Sequence, residues 1–350
     1  ESIRQVVDVL RAAAEDGHTV AVVSALGGVT DSLLDAAATA ESGGEWRRDW
    51  EALRERHRAA AAELAPGEPE LREVLDRWLD ELRHLLHGVE LLHEVSPRVS
   101  DGIAAYGERL SSLIVAAALR AGGVDAEAVD TRELIVTDDH YGRAQVNLDE
   151  SYVRLNARLG ADGPLAVLTG FTGATPEGQT TTLGRGGSDY TGALVGAALG
   201  ADAIELWTDV SGVMTADPRV IDDAFVQPHL SYAELMELSH FGAKVVYAPS
   251  VHPARHSGIP LRIKNTFAPE DPGTVIADRV PASDGPIRGI TSIRSVALVR
   301  LEGDGMVGVP GIAERLFGAL ARRRISVILI SQSSSEHSIC FSVAGADAEA

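Results

Sequence analysis

Thr180-Thr181-Thr182-Leu183-Gly184-Arg185-Gly186-Gly187-Ser188-Asp189-Tyr190-Thr191-Gly192 runs directly into a helix-patterned apolar stretch that ends at Leu199. Clustered glycines let backbone N–H groups approach an anion closely, and the helix start adds a favourable dipole. Arg185 offers a planar fork suited to a carboxylate. The same residues also read as an ordinary turn with Ser188 and Asp189 as helix caps. On the residues alone both readings stand. No Gly-Lys-Ser/Thr is present, so this is not a Walker loop.

On either side, helical patterns alternate with short apolar strands, which predicts an α/β architecture with a mainly parallel sheet. Upstream, Leu165–Thr169 reads as a buried strand preceded by the helix Leu148–Leu159, the strand Ala126–Asp130 and the helix Gly102–Ala121. Ile3–Ala14 is helical and leads into the strand Thr19–Val23. Between them, residues 44–95 form a charged helical insertion broken at Pro66-Gly67, with Trp46, Trp50 and Trp78 as its packing residues. Downstream come the strand Ala203–Trp207, a helical pattern over Tyr232–Tyr247 and the strand Pro260–Ile263. A turn-rich stretch, Pro269–Gly289, places a domain boundary near its end, giving domains 1–285 and 290–350. Val296–Leu301, Gly311–Arg322, Ile325–Ile330 and Ser338–Val343 then read βαββ, the first part of a ferredoxin-like unit.

The 350 residues are 45% hydrophobic, enough for a large core plus a smaller domain, with no apolar run expected to span a bilayer. Glu1-Ser2-Ile3-Arg4 lacks the features of a secretory signal and Cys340 is the only cysteine, which points to a cytoplasmic setting. The net charge of -20 leaves no basic stripe, so neither a nucleic-acid nor a membrane partner is expected. Lys244 and Lys264 are the only lysines, and Lys264 stays without a role.

The glycine loop resembles the substrate loop of aspartate kinases, members of the amino acid kinase family. Four further segments agree in order: Val22–Asp31 (Val-Val-Ser-Ala-Leu-Gly-Gly-Val-Thr-Asp), Tyr106–Ser111 (Tyr-Gly-Glu-Arg-Leu-Ser), Thr208–Arg219 (Thr-Asp-Val-Ser-Gly-Val-Met-Thr-Ala-Asp-Pro-Arg) and Phe241–Val245 (Phe-Gly-Ala-Lys-Val). The resemblance implies an α/β/α sandwich that transfers the γ-phosphate of ATP to the side-chain carboxylate of L-aspartate. It also implies a strand and a Lys-Phe-Gly-Gly-Thr-Ser segment ahead of Glu1, whose lysine meets the phosphates.

By the same resemblance, Arg185, Asp189 and Lys244 are catalytic. Ser24, Thr30, Glu108, Phe171, Thr182, Arg185, Ser188 and Asp189 hold the amino acid, with Glu108 on its ammonium group and Arg185 on its α-carboxylate. Thr208, Asp209, Met214, Asp217, Arg219 and Lys244 meet ATP, Met214 standing where the family has an aromatic residue. Mg²⁺ is expected to be held mainly through the nucleotide phosphates, with no metal ligands of the protein's own. Read as plain structure, Ser24 and Thr30 are N-caps, Glu108 pairs with Arg109 on the surface, and Phe171 is a core aromatic. A kinase for glutamate or acetylglutamate would share the sheet but lack the paired Glu108 and Arg185 motifs. A non-catalytic amino-acid-sensing subunit is a further reading.

Gly303–Gly311 and Ile325–Ser338 resemble the first half of an ACT domain, closest in wording to threonine-sensitive forms often fused to homoserine dehydrogenase. The resemblance implies an amino-acid effector such as threonine near Asp304, Val309, Ile330 and Gln332. It further implies a homodimer or homotetramer formed by ACT pairing.

Overall fold

Every residue of the strand Leu165–Thr169 is buried, because parallel neighbours flank it and helices cover both of its faces. The computed structural model describes residues 2–161, 163–240, 246–281, 287–332 and 337–349. They fall into two compact units, Glu1–Ile290 and Thr291–Ala350.

The first unit begins with helix α1 (Ser2–Asp16), strand β1 (Val20–Val23) and helix α2 (Val29–Glu41). Three helices follow: α3 (Trp46–Leu64), α4 (Pro69–Leu92) and α5 (Pro97–Ala104). Next come α6 (Tyr106–Ala121), β2 (Ala126–Val129), α7 (Leu148–Leu159), β3 (Leu165–Thr169) and the hairpin β4 (Thr172–Ala174) and β5 (Thr180–Thr182). Helix α8 (Gly187–Leu199), β6 (Ile204–Thr208), β7 (His229–Ser231), α9 (Tyr232–His240), α10 (His252–His256), β8 (Leu261–Asn265) and β9 (Thr274–Ala277) complete it.

The sheet β1-β3-β2 is wholly parallel, with Val20 opposite Ala166 and Val129 opposite Leu168. Alternation along its strands sends the two faces into two cores. Ala21 and Val167 pack with Val115 and Leu119 of α6 and with the apolar stripe of α1. Val20, Val22, Ala166 and Leu168 pack with Leu155 and Leu159 of α7 and Val195 of α8. That is an α/β/α sandwich. The second sheet, β6-β8-β9-β7, is parallel except between β8 and β9, which run antiparallel.

Helices α3 and α4 close on α2 and α6 around Trp46, Leu75, Leu79, Leu82 and Leu86, which are all but inaccessible to water. Ser96 caps α5 by accepting the Val99 N–H at 3.3 Å, and Pro97 supplies a ready-made first turn. The helix expected over Gly102–Ala121 therefore starts five residues earlier and is interrupted only at Ala105. Together these two helices do make a run long and apolar enough for a membrane span, contrary to the expectation from sequence. Burial within the protein core accounts for its apolar character. Helix α9 is described only as far as His240.

The second unit carries β10 (Val296–Glu302), α11 (Ile312–Arg322), β11 (Val327–Gln332) and β12 (Ser338–Ala344). Its antiparallel order β10-β12-β11 is the arrangement a βαββ half of a ferredoxin-like unit requires. Phe317 of α11 meets Phe341 of β12 edge to face at 6.2 Å. Val309, Ile330 and Gln332 are exposed, and Asp304 opens a short 3₁₀ turn.

Candidate active site

A cleft of about 450 Å³ opens beyond the carboxyl ends of β1 and β3, where open α/β sheets place their ligands. Its walls are the loop from Ser24 to Asp31, Glu108 of α6, Phe171, and the glycine loop from Gly184 to Asp189. Two helices begin here. Gly28 precedes α2 at φ 77° and Gly186 precedes α8 at φ 69°, left-handed conformations that glycine adopts without strain. Neither cap carries a side-chain acceptor, so both helix starts offer their N–H groups to a ligand anion. Ser24, Thr30, Ser188 and Asp189 are thus not caps. Thr30, Ser188 and Asp189 lie inside first turns.

Glu108 is 3% exposed. One carboxylate oxygen accepts the Ala25 N–H at 3.2 Å, while Oε2 is buried with no hydrogen-bond partner among the described residues. The approach depends on Gly107, where a Cβ would lie 2.7 Å from that of Ala25. Burial pushes the Glu108 carboxyl up to about 7, against the pull of the backbone N–H groups. A surface pair with Arg109 is ruled out. The Arg109 guanidinium lies between the rings of Trp78 at 4.4 Å and Tyr106 at 4.7 Å, facing Asp130 at 3.6 Å.

Burial also pushes Asp189 up, to about 6. Arg185 is exposed, is the only cationic side chain lining the cleft, and has no hydrogen-bond or ion-pair partner among the described residues. Phe171 holds φ 66°, with its N–H given to Thr191 Oγ1 at 3.1 Å and its carbonyl accepting from Leu183 N at 2.9 Å. Its ring lies on Gly187, where a Cβ would come within 2.7 Å of Phe171 Cδ2 and 3.0 Å of its Cα. Gly→Ala in a helix ordinarily stabilises by about 1 kcal/mol. At Gly187 the clash with backbone reverses the sign. Gly187→Ala is expected to destabilise by about 1–3 kcal/mol in urea unfolding. A gain in stability would show that Phe171 moves freely.

Thr182 does not line the cleft. Its hydroxyl donates to Asp101 instead, at 2.9 Å. The expected nucleotide residues that are described lie apart from the cleft lining. Thr208 ends β6 and Asp209 follows it, with the threonine hydroxyl donating to the aspartate at 3.2 Å. Met214 bridges to Val226, and Arg219 pairs with Asp217 at 2.8 Å on the surface. Lys244 lies outside the described residues. Lys264 sits over the Trp207 ring at 4.9 Å. Sequence reasoning passed over Asp31, which lines the cleft, and Asp101, which no motif marks.

Two uncapped helix starts, a lone arginine and a buried carboxylate thus meet at the strand ends of an α/β fold. The amino acid kinase family model matches residues 1–265, and an ACT domain model matches 299–350. A bifunctional aspartokinase/homoserine dehydrogenase of Arabidopsis thaliana is 35% identical over 92% of this chain. The chain spans about a third of the length of such bifunctional relatives. E. coli aspartokinase III in complex with aspartate and ADP superposes with a TM-score of 0.81 at 31% identity, over 98% of this chain and 75% of that one. The same enzyme with lysine and aspartate gives 0.77 at 31% identity, over 97% and 75%. The chain belongs to the amino acid kinase family, and within it to the aspartokinases.

Proposed function

We propose that this chain phosphorylates L-aspartate on its side-chain carboxylate at the expense of ATP. The observation that carries the reading is the pair Glu108 and Arg185 on one cleft. A buried carboxylate and a free guanidinium match the ammonium and α-carboxylate of an amino acid. The E. coli relative that holds aspartate and ADP supports the same ligands here.

A carboxylate nucleophile needs no general base, but it must meet a polyanion. Catalysis then rests on alignment and on neutralisation of charge. The first-turn N–H groups of α2 and α8 suit phosphoryl oxygens, and Arg185 orients the amino acid. Ser24, Thr30, Ser188 and Phe171 shape the pocket, with Asp189 beside the reacting groups. Thr208, Asp209, Met214, Asp217, Arg219 and Lys244 are assigned to the nucleotide. Mg²⁺, bound through the nucleotide phosphates, would supply further charge neutralisation. We assign residues 1–285 to the kinase and 290–350 to a sensor that pairs with a second copy and binds threonine.

The test is ADP release by the full-length gene product given Mg-ATP with aspartate, glutamate or acetylglutamate. Turnover is expected with aspartate alone. Amino-acid binding without any turnover would transfer the assignment to a regulatory subunit. Threonine is expected to weaken aspartate saturation by about 5–150-fold, the range of ordinary allosteric coupling. An unchanged saturation curve would remove the sensor assignment.

A further inference from the structure

Among the described residues two carboxylates are almost fully buried, Glu108 at 3% and Asp101 at 4% exposure. Glu108 belongs to the cleft. Asp101 does not, and no cation contributes to its environment. A buried carboxylate without a counter-ion is costly unless hydrogen bonds replace its water. Here they do. Asp101 Oδ2 accepts from the Gly142 N–H at 2.9 Å and the Thr182 N–H at 2.8 Å, and Oδ1 accepts from the Thr182 hydroxyl at 2.9 Å.

Those donors sit at the root of the arginine-bearing loop. Thr182 is the last residue of β5, and its carbonyl accepts from Ala144 N at 2.9 Å. Gly184 follows at φ 74°, packed so closely on the 142–143 turn that a Cβ would stand 3.0 Å from the Gly142 carbonyl oxygen and 3.2 Å from Arg143 Cβ. The loop therefore rests on that turn, and Asp101 binds turn and strand end together. Asp101 itself belongs to α5, which packs against α2 and α6. Those two helices present Thr30 and Glu108. One side chain thus joins the two halves of the cleft.

We propose that Asp101 is a positioning residue that holds the loop from Leu183 to Gly186 at the distance from Glu108 which an α-amino acid spans between its carboxylate and its ammonium group. The proposal rests on the aspartate reading above. It assigns Asp101 no contact with the substrate.

Asp101→Ala, Asp101→Asn and Thr182→Val in the full-length protein test it. Each is assayed for kcat, for KM of aspartate and of Mg-ATP, and for amide hydrogen exchange across 182–188 without ligand. Asp101→Ala is expected to raise the aspartate KM by about 20-fold or more, with kcat and the Mg-ATP KM within about threefold. Exchange at 182–188 is expected to quicken by about tenfold. An asparagine oxygen can accept from both N–H groups while its amide donates to the Thr182 hydroxyl. Asp101→Asn should therefore recover most of the loss, and Thr182→Val should cost about three- to fivefold in the aspartate KM.

An unchanged aspartate KM in Asp101→Ala overturns the proposal. So does a fall of both affinities and kcat together with unaltered local exchange, which marks a general structural role. If the alanine variant fails to fold, Thr182→Val carries the same decision. A wild-type protein that ignores aspartate while its 182–188 exchange still responds to Asp101 would defeat the substrate reading and leave the clamp standing.

Discussion

Arg185→Ala is expected to lower kcat/KM for aspartate by about 10²–10³, nearly all of it in KM. The size of the loss is diagnostic. Arg185 is exposed in the free protein, and an ion pair that stays in water is worth less than about 1 kcal/mol, or some fivefold. Removing one partner of a charge pair that has been closed off from water costs about 2–5 kcal/mol. A loss in the higher range therefore requires that the glycine loop shut over the amino acid. Arg185→Lys should recover only part, because an ammonium cannot make two parallel bonds to a carboxylate. Steady-state kinetics against aspartate at saturating Mg-ATP measures both. A drop of less than about fivefold would sink the assignment of Arg185 to the α-carboxylate.

What could be read from the residues, and what could not, divides along physical lines. Leu148–Leu159 and Leu165–Thr169 form with the bounds expected from their patterns, because each pattern reports directly on which face is buried. The loop from Gly184 to Asp189 announced itself through glycines that only a left-handed turn or a close approach requires. Glu108 was picked out by its motif, but its environment was not legible. Adjacent charges at Glu108 and Arg109 suggest a surface pair. On a helix, though, neighbours in sequence point apart, and α6 sends one into the cleft and the other between two aromatic rings.

Ser188 and Asp189 look like caps in a string of letters. The helix start falls at Gly187 because Gly186 can take a positive φ. Asp101 was invisible for a different reason. Its partners, Gly142 and Thr182, are 41 and 81 residues away in the chain, and no local pattern records such a contact. The antiparallel pairing of β8 with β9 was hidden likewise, since short strands carry no sign of direction.

Glu108→Gln is expected to separate stability from function at the same site. Burial raises the Glu108 carboxyl from its ordinary 4.5 to about 7. Between those values the folded protein keeps a proton that the unfolded chain has released. The stability contribution of protonated Glu108 is therefore fully present below about pH 4.5 and is lost as pH rises through 7. The gap corresponds to a penalty of about 3 kcal/mol once the group is ionised.

Glutamine carries no such penalty and still accepts from Ala25 N. The variant should be more stable than the parent at pH 8 by up to about 3 kcal/mol, and equal to it at pH 4. Urea unfolding at the two pH values measures the difference, and equal stability at both would remove the buried-charge account.

The functional effect runs the other way. An ammonium group seeks the ionised carboxylate, so each pH unit below 7 should raise the parent's aspartate KM about tenfold, with Asp189 adding its own titration near 6. In Glu108→Gln the step near pH 7 disappears and KM stays about 10²-fold high throughout, the ammonium having lost a buried charged partner. A parent KM that is flat between pH 6 and 8 would mean that Glu108 does not meet the ammonium. On the aspartate reading proposed above, the cost of ionising a buried carboxylate, whose Oε2 has no partner among the described residues, is offset by the cation that arrives with the substrate.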